Sequence, residues 1–242
     1  MKRPGSDSRR CYYDHERAWV RIAKRGGAGW DDLSPPASDD TRYADFATFR
    51  DSDVFLALQK SVSGRSCTAL DLGCGGGQIA LQLAGVGWEV IGVEYSATAV
   101  SLAERNARES GIVADFRQGD CLQLDECIGR DQFFDLVVDN RLMHCIVGQE
   151  DRECVAKSAA GRCEPGGILF STSMTSDLTF DYDRYGVDRN TMIDRFATRQ
   201  LAPSSQLEGL WSRVGLHLLR SWISFPKESG APADWCGVFR RG

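Results

Sequence analysis

The sequence predicts an α/β fold built on a mostly parallel sheet. Three observations point to it. Thr68-Ala69-Leu70-Asp71-Leu72 is a short apolar run that passes through a glycine-dense turn into Gln78–Ala84, where apolar residues recur at helical spacing. Two further apolar runs, 88–94 and 134–139, alternate with helix-length amphipathic segments, the pattern of βαβ units. At 242 residues and 42% hydrophobic, the chain has material for one sizeable domain with appendages.

Residues 1–9 read as disordered. Over 10–26 apolar residues recur at Tyr12, Tyr13, Trp19, Val20, Ile22 and Ala23, a helix stopped by Gly26-Gly27. Gly29-Trp30-Asp31-Asp32-Leu33 then enters a Pro35-Pro36 loop. A second helical segment over 42–60, broken near Asp51, buries Phe46, Phe49, Val54, Phe55 and Leu58. It precedes the first strand, so it lies outside the alternation and is expected over the ligand end of the sheet. Residues 1–64 thus form a helical cap ahead of a sheet domain at 65–242.

In the turn, Gly73, Gly75 and Gly77 occupy every second position, free of β-carbons and open to positive φ. The helix start behind them favours partial negative charge, so a ligand is expected against this main chain. The second strand, 88–94, ends in Glu94, 23 residues after Asp71, near the spacing at which a βαβ unit sets an acid on ribose hydroxyls. Ser96 caps a helix that Gly111 ends. A short third strand, 114–120, finishes with Gly119-Asp120. The fourth, 134–139, is continuously apolar, as a strand buried on both faces is. It empties into Asn140-Arg141-Leu142-Met143-His144-Cys145-Ile146, at the end of the sheet where such folds bind ligands. A helix at 150–160, a turn at Cys163-Glu164-Pro165-Gly166-Gly167 and a fifth strand at 168–173 follow. The alternation fails over 174–203, where mixed polar and aromatic residues suggest an insertion forming a lid or acceptor pocket. A helix at 204–214 and strands at 216–224 and 235–240, close enough for an antiparallel pair, complete the chain.

Gly75 to Ala80 also satisfies a loose dinucleotide pattern, G-x-G-x-x-A. Asp71 discriminates: with the glycines it gives D-x-G-x-G-x-G, which resembles the first motif of class I S-adenosylmethionine (SAM) methyltransferases. Pro165-Gly166-Gly167 before the fifth strand is a second shared feature. The resemblance covers about 66–240. It implies a Rossmann-like seven-stranded, mostly parallel sheet with an antiparallel edge strand. It implies SAM as cofactor, with the main chain at Gly73, Cys74 and Gly75 around its amino acid end and Asp71 holding the ammonium. Glu94, beside Tyr95, would take the ribose hydroxyls. Asp120 would face the adenine amine and the Cys121 amide a ring nitrogen, while Asp139 and Asn140 would help hold the ammonium.

The aromatic first helix, the Gly29-Trp30-Asp31-Asp32 segment and the Asp139-Asn140-x-x-x-His144-Cys145 loop also resemble small-molecule methyltransferases, including enzymes that methylate thiols of secondary metabolites. This likeness implies a small, partly aromatic acceptor enclosed by Tyr12, Tyr13, Trp30 and the insertion, with Arg195 or Arg199 available to an acceptor carboxylate. Sulfur is the favoured atom, then oxygen or nitrogen. His144 is the candidate general base, with Asp139 behind it; a thiol, with a reference pKa of about 8.5, needs less help than a phenol near ~10.

The net charge of -5 and pI near 5.3 argue against nucleic-acid binding by phosphate neutralisation, as does the lack of an Asn/Asp-Pro-Pro-Tyr run after the fourth strand. Nine cysteines without C-x-x-C spacing read as reduced thiols of a cytoplasmic protein. No apolar run approaches the roughly 20 residues of a membrane helix. No metal is expected; a metalloid methyltransferase would need Cys11, Cys145 and Cys163 to converge. A SAM-binding protein without catalysis on the same scaffold is the other alternative. A nicotinamide oxidoreductase would not need Gly119-Asp120. His144-Cys145 lacks the orienting third group of a nucleophilic pair. The oligomeric state stays open.

Overall fold

The computed structural model describes residues 8–30, 44–189, 191–193, 198–225 and 230–242. Of residues 1–9, expected to be disordered, 1–7 lie outside them and Ser8 and Arg9 instead open a helix; the Pro35-Pro36 loop and Arg195 also lie outside. Among the described residues the helices are α1 (Ser8–Lys24), α2 (Ala44–Arg50), α3 (Asp53–Ser61), α4 (Gln78–Ala84), α5 (Ala97–Ser110), α6 (Leu124–Ile128), α7 (Gln149–Arg162) and α8 (Ser204–Ser212). The strands are β1 (Thr68–Leu72), β2 (Glu89–Glu94), β3 (Asp115–Gln118), β4 (Phe134–Asn140), β5 (Cys163–Met174), β6 (Leu216–Ser224) and β7 (Asp234–Arg241).

The seven strands form one sheet in the order β3-β2-β1-β4-β5-β7-β6. β1 to β5 pair in parallel, β7 runs against β5, and β6 runs against β7. The reversed strand is therefore β7, one place in from the edge, and β6 at the edge shares the direction of β1 to β5.

Strand alternation sends neighbouring side chains to opposite faces. On one face Ala69, Leu136, Val138 and Phe170 pack with Phe46, Phe49 and Phe55 of α2 and α3 and with Ile79 and Leu83 of α4. On the other, Leu70, Leu72, Val137 and Leu169 meet Val155 and Ala159 of α7 and Leu207 and Trp211 of α8. The helical segment before β1 thus covers a sheet face, not the ligand end. Its break falls at Ser52, whose hydroxyl accepts from the Phe55 amide and caps α3. Cover over the ligand end comes from α1, where Trp19 and Ile22 pack on Ala99 and Leu102 of α5.

The Cys163–Gly167 stretch is a bulge within β5. Phe134 pairs with Cys163 and Leu136 with Ile168, and Gly166 takes φ 78° in the chain between. The insertion after β5 has a small core of its own, Met174, Phe180, Val187 and Leu201, and its ends meet where Thr175 bridges Ala202.

Candidate active site

At the carboxyl ends of β1, β2 and β4 a pocket opens, lined in part by Asp71, Gly73, Cys74, Gly75, Glu94, Tyr95, Asp120, Cys121 and Asn140. The three glycines take φ of 63°, 53° and 83°. A Cβ would lie 2.9 Å from Leu142 at Gly73, 2.7 Å from Trp19 at Gly75 and 2.7 Å from Phe116 at Gly77. They thus make way for the protein's own side chains, two of which, Leu142 and Trp19, line the pocket.

Asp71 is buried and its Oδ2 accepts from the amide of Ala80, in the first turn of α4, at 3.2 Å. Burial, with the charges of Glu94 and Asp139 adding to it, pushes its carboxyl up to about 8. Glu94 joins two elements: Oε2 accepts from the Gly75 amide at 3.1 Å and Oε1 from the Ser96 amide at 2.9 Å. Burial raises its pKa also. Asp120 lies just beyond β3, where Oδ1 accepts from the Leu122 amide at 3.0 Å and the Tyr12 hydroxyl at 3.4 Å. The Tyr12 ring stacks on Tyr95 with centroids 4.4 Å apart. Cys74 and Cys121 are buried thiols held neutral by desolvation. Asn140 Oδ1 is buried without a hydrogen-bond partner among the described residues. These groups fit SAM: Asp71 and Asn140 have oxygens that could accept from an ammonium, and Glu94 a carboxylate that could accept from vicinal hydroxyls.

Asp139 is a different case. Its carboxylate accepts from the amides of Leu142 and Met143 at 2.9 and 3.0 Å and from the Ser171 hydroxyl at 2.6 Å. It is fully buried and does not line the pocket. The expectation that it holds the cofactor or acts as a base is corrected: Oδ1 caps the turn after β4, Oδ2 accepts from Ser171 of β5, and the residue is not part of the pocket wall. Burial lifts its pKa to about 6 against those hydrogen bonds.

His144 lines the pocket as expected, yet its ring is engaged. Nδ1 accepts from the Met174 amide at 3.2 Å, so the neutral ring carries its proton on Nε2 and is a donor there. Burial, then the charges of Arg199, Arg141, His15 and Arg152, holds its pKa well below the ordinary value. The His144 carbonyl accepts from the Gln200 amide at 2.7 Å, so this residue ties both ends of the insertion to the loop after β4. These bonds are the physical reason against a general-base role.

Of the predicted acceptor residues, Tyr12, Trp30 and Arg199 line the pocket. Tyr13 is 70% exposed and points away. The lining residues missed include His15, Glu16 and Trp19 on α1 and Gln78, Ser96 and Arg141 elsewhere. Charge is divided along the pocket. The acids Asp71, Glu94, Asp120 and Glu16 belong to the β1–β3 side and to α1, whereas the cations Arg141 and Arg199 belong to the loop after β4 and the insertion, beside the neutral His144. Cys145 lines the pocket but Cys163 begins β5 at the far end of the sheet, so these two do not converge. Among the described residues no three His, Cys, Asp or Glu side chains are grouped to hold a metal ion. No described helix is long and apolar enough to cross a membrane.

The profile of a family described as a methyltransferase domain matches residues 63–202, more than half of the chain. Ubiquinone biosynthesis O-methyltransferases of Methylobacterium sp. (strain 4-46) and Agrobacterium fabrum (strain C58 / ATCC 33970) are 29% identical over 111 residues and 28% over 109. Those matches take in 46% and 45% of this chain and 42% and 41% of the relatives, so the chain spans less than half their length. A solved structure described as the conversion of a disulfide bond into a thioacetal group during echinomycin biosynthesis aligns at 26% identity and TM-score 0.57, over 84% of this chain and 91% of that one. The [4+2]-cyclase SpnF shares the fold at TM-score 0.66 and 18% identity, over 100% and 98% of the two chains. Magnesium protoporphyrin IX methyltransferase of Synechocystis PCC 6803, solved with bound S-adenosylhomocysteine, shares it at TM-score 0.62 and 16% identity, over 93% and 94%. With more than half its length matched by that profile, the chain belongs to the methyltransferase domain family, among the class I SAM-dependent methyltransferases.

Proposed function

We propose that the protein methylates the sulfur of a small-molecule thiol by in-line displacement, with oxygen as the second reading. SAM supplies a methyl group already activated on a sulfonium. Asp71 and Asn140 would hold its ammonium, Glu94 its ribose, and Asp120 with the Cys121 amide its adenine. The chain's further work is to position the acceptor and exclude water, for which Trp19, Trp30 and the insertion supply walls.

The observation that favours sulfur is the hydrogen bonding of the two candidate bases. Asp139 accepts from three donors and does not line the pocket, and His144 has its Nδ1 engaged and its proton on Nε2, so neither is placed to take a proton from the acceptor. An acceptor that ionises by itself suits such a site, and a thiol near ~8.5 does so more readily than a phenol near ~10. Oxygen draws its support from the relatives named as ubiquinone biosynthesis O-methyltransferases.

Transfer of isotopically labelled methyl from SAM to matched thiols and phenols, read by mass spectrometry with Glu94→Ala as control, tests this. Thiol products are expected from the wild type, with loss of at least about tenfold in SAM affinity for the control, as for a charged partner removed. Products from phenols alone would reject the sulfur reading.

A further inference from the structure

The division of charge along the pocket bears on what enters beside the cofactor. Arg199 lines the insertion side and is fixed by both neighbours. The Thr198 hydroxyl donates to Asp14 of α1, and the Gln200 amide donates to the His144 carbonyl at 2.7 Å. Gln200 Oε1 in turn accepts from Arg152 at 2.8 Å, and Arg152 also donates to the Ile146 carbonyl at 2.6 Å. Arg152 is thus a buried cation whose described hydrogen-bond partners are neutral. Arg141 pairs with Asp234, which does not line the pocket.

Of the three described non-glycine residues with positive φ, two fall at this place and the third, Met192, does not line the pocket. Thr198 has φ 47° and Arg141 φ 71°, conformations that residues with a β-carbon rarely adopt, least of all a β-branched one. Outliers of this kind persist where the surrounding structure over-determines them. Here each sits at or next to an arginine that lines the pocket. His144 adds an Nε2–H to the same wall.

We propose that the acceptor end of this pocket is an anion site, with Arg199 as the residue that selects an acceptor bearing a negatively charged carboxylate or thiolate. Arginine suits either group: its planar fork of donors matches a carboxylate, and its charge lowers the cost of enclosing an anion in the pocket. This deepens the methyl-transfer reading, and the test separates the two by reading binding instead of turnover.

Four probes vary the two charges independently: 4-mercaptobenzoate, 4-mercaptobenzamide, 4-(methylthio)benzoate and 4-(methylthio)benzamide. Each is titrated calorimetrically at neutral pH into the full chain with S-adenosylhomocysteine present, for the wild type, Arg199→Gln and Arg199→Lys. The wild type should bind at least one anionic probe about tenfold or more tightly than the doubly neutral one. A preference that follows the carboxylate identifies an acid-bearing acceptor, and one that follows the free thiol identifies a reacting thiolate. Arg199→Gln should remove the preference and Arg199→Lys retain part of it, a change in ratio that general disturbance of the insertion would not produce. Equal binding of all four probes, binding of none, or a preference that survives Arg199→Gln overturns the proposal. Charge-selective binding without methyl transfer from SAM would overturn the reaction and leave the anion site standing.

Discussion

Asp71 keeps or loses its proton according to what lies beside it. Its pKa in the fold, about 8, stands above the ordinary 3.8, chiefly through burial. The native state therefore holds a proton that the unfolded chain has released over this interval. The stability linked to this group is full below 3.8 and is lost as pH rises towards about 8. The melting temperature of the ligand-free protein should fall across that window more steeply for the wild type than for Asp71→Asn, which keeps an acceptor for the Ala80 amide but does not titrate. Parallel slopes in a thermal scan would sink this account. The places of Asp71 and Glu94 in the pocket lining were legible because each lies at a strand end beside the glycine turn. Asp139 sits at a strand end too, yet its oxygens turn back on the amides three and four residues ahead. That capping geometry was equally open to a reading of the sequence, since a carboxylate before a tight turn is a natural cap. His144 could not be read in this way: its Nδ1 bond to Met174 depends on tertiary approach.

At the level of elements, α1 shows what a purely apolar reading loses. Tyr12, His15, Glu16 and Trp19 stand at i, i+3, i+4 and i+7, one face of a helix, and all four line the pocket. Counting only apolar residues selected Tyr13, which falls off that face, and passed over the two polar members. Helix and glycine turn also depend on each other. Gly75→Ala would set a Cβ 2.7 Å from the Trp19 ring at a φ of 53°, so α1 must lift or the turn must strain. Hydrogen exchange should quicken over Ser8–Lys24 in that variant and SAM affinity should fall; unchanged exchange in α1 would contradict the contact. Strands were read more closely than helices, because β1, β2 and β4 are short apolar runs ended by acids or glycine. The short α6 went unread, since five residues are too few to establish a period.

Across the whole molecule, α2 and α3 belong to the support of the sheet. Phe49 stacks on Phe170 of β5 at 4.8 Å and meets Phe55 edge-on at 5.4 Å. Phe49→Ala should cost about 3–5 kcal/mol in denaturant unfolding while SAM affinity of the folded protein changes little. A loss well under 1 kcal/mol would mean that these helices are loosely attached. Alternation of strands and helices made the parallel part of the sheet legible; the place of the reversed strand is set by how β5, β6 and β7 pack, which no local pattern encodes. The insertion has a consequence for how such proteins diversify. It leaves the sheet at Met174 and returns at Ala202, and Thr175 beside Ala202 closes its neck. A segment tied off in this way can be lengthened, shortened or exchanged without altering the register of β5 or the start of α8. If the insertion sets acceptor preference, as the proposed function has it, that preference can drift by cassette replacement while the glycine turn, encoded a hundred residues earlier, is inherited intact.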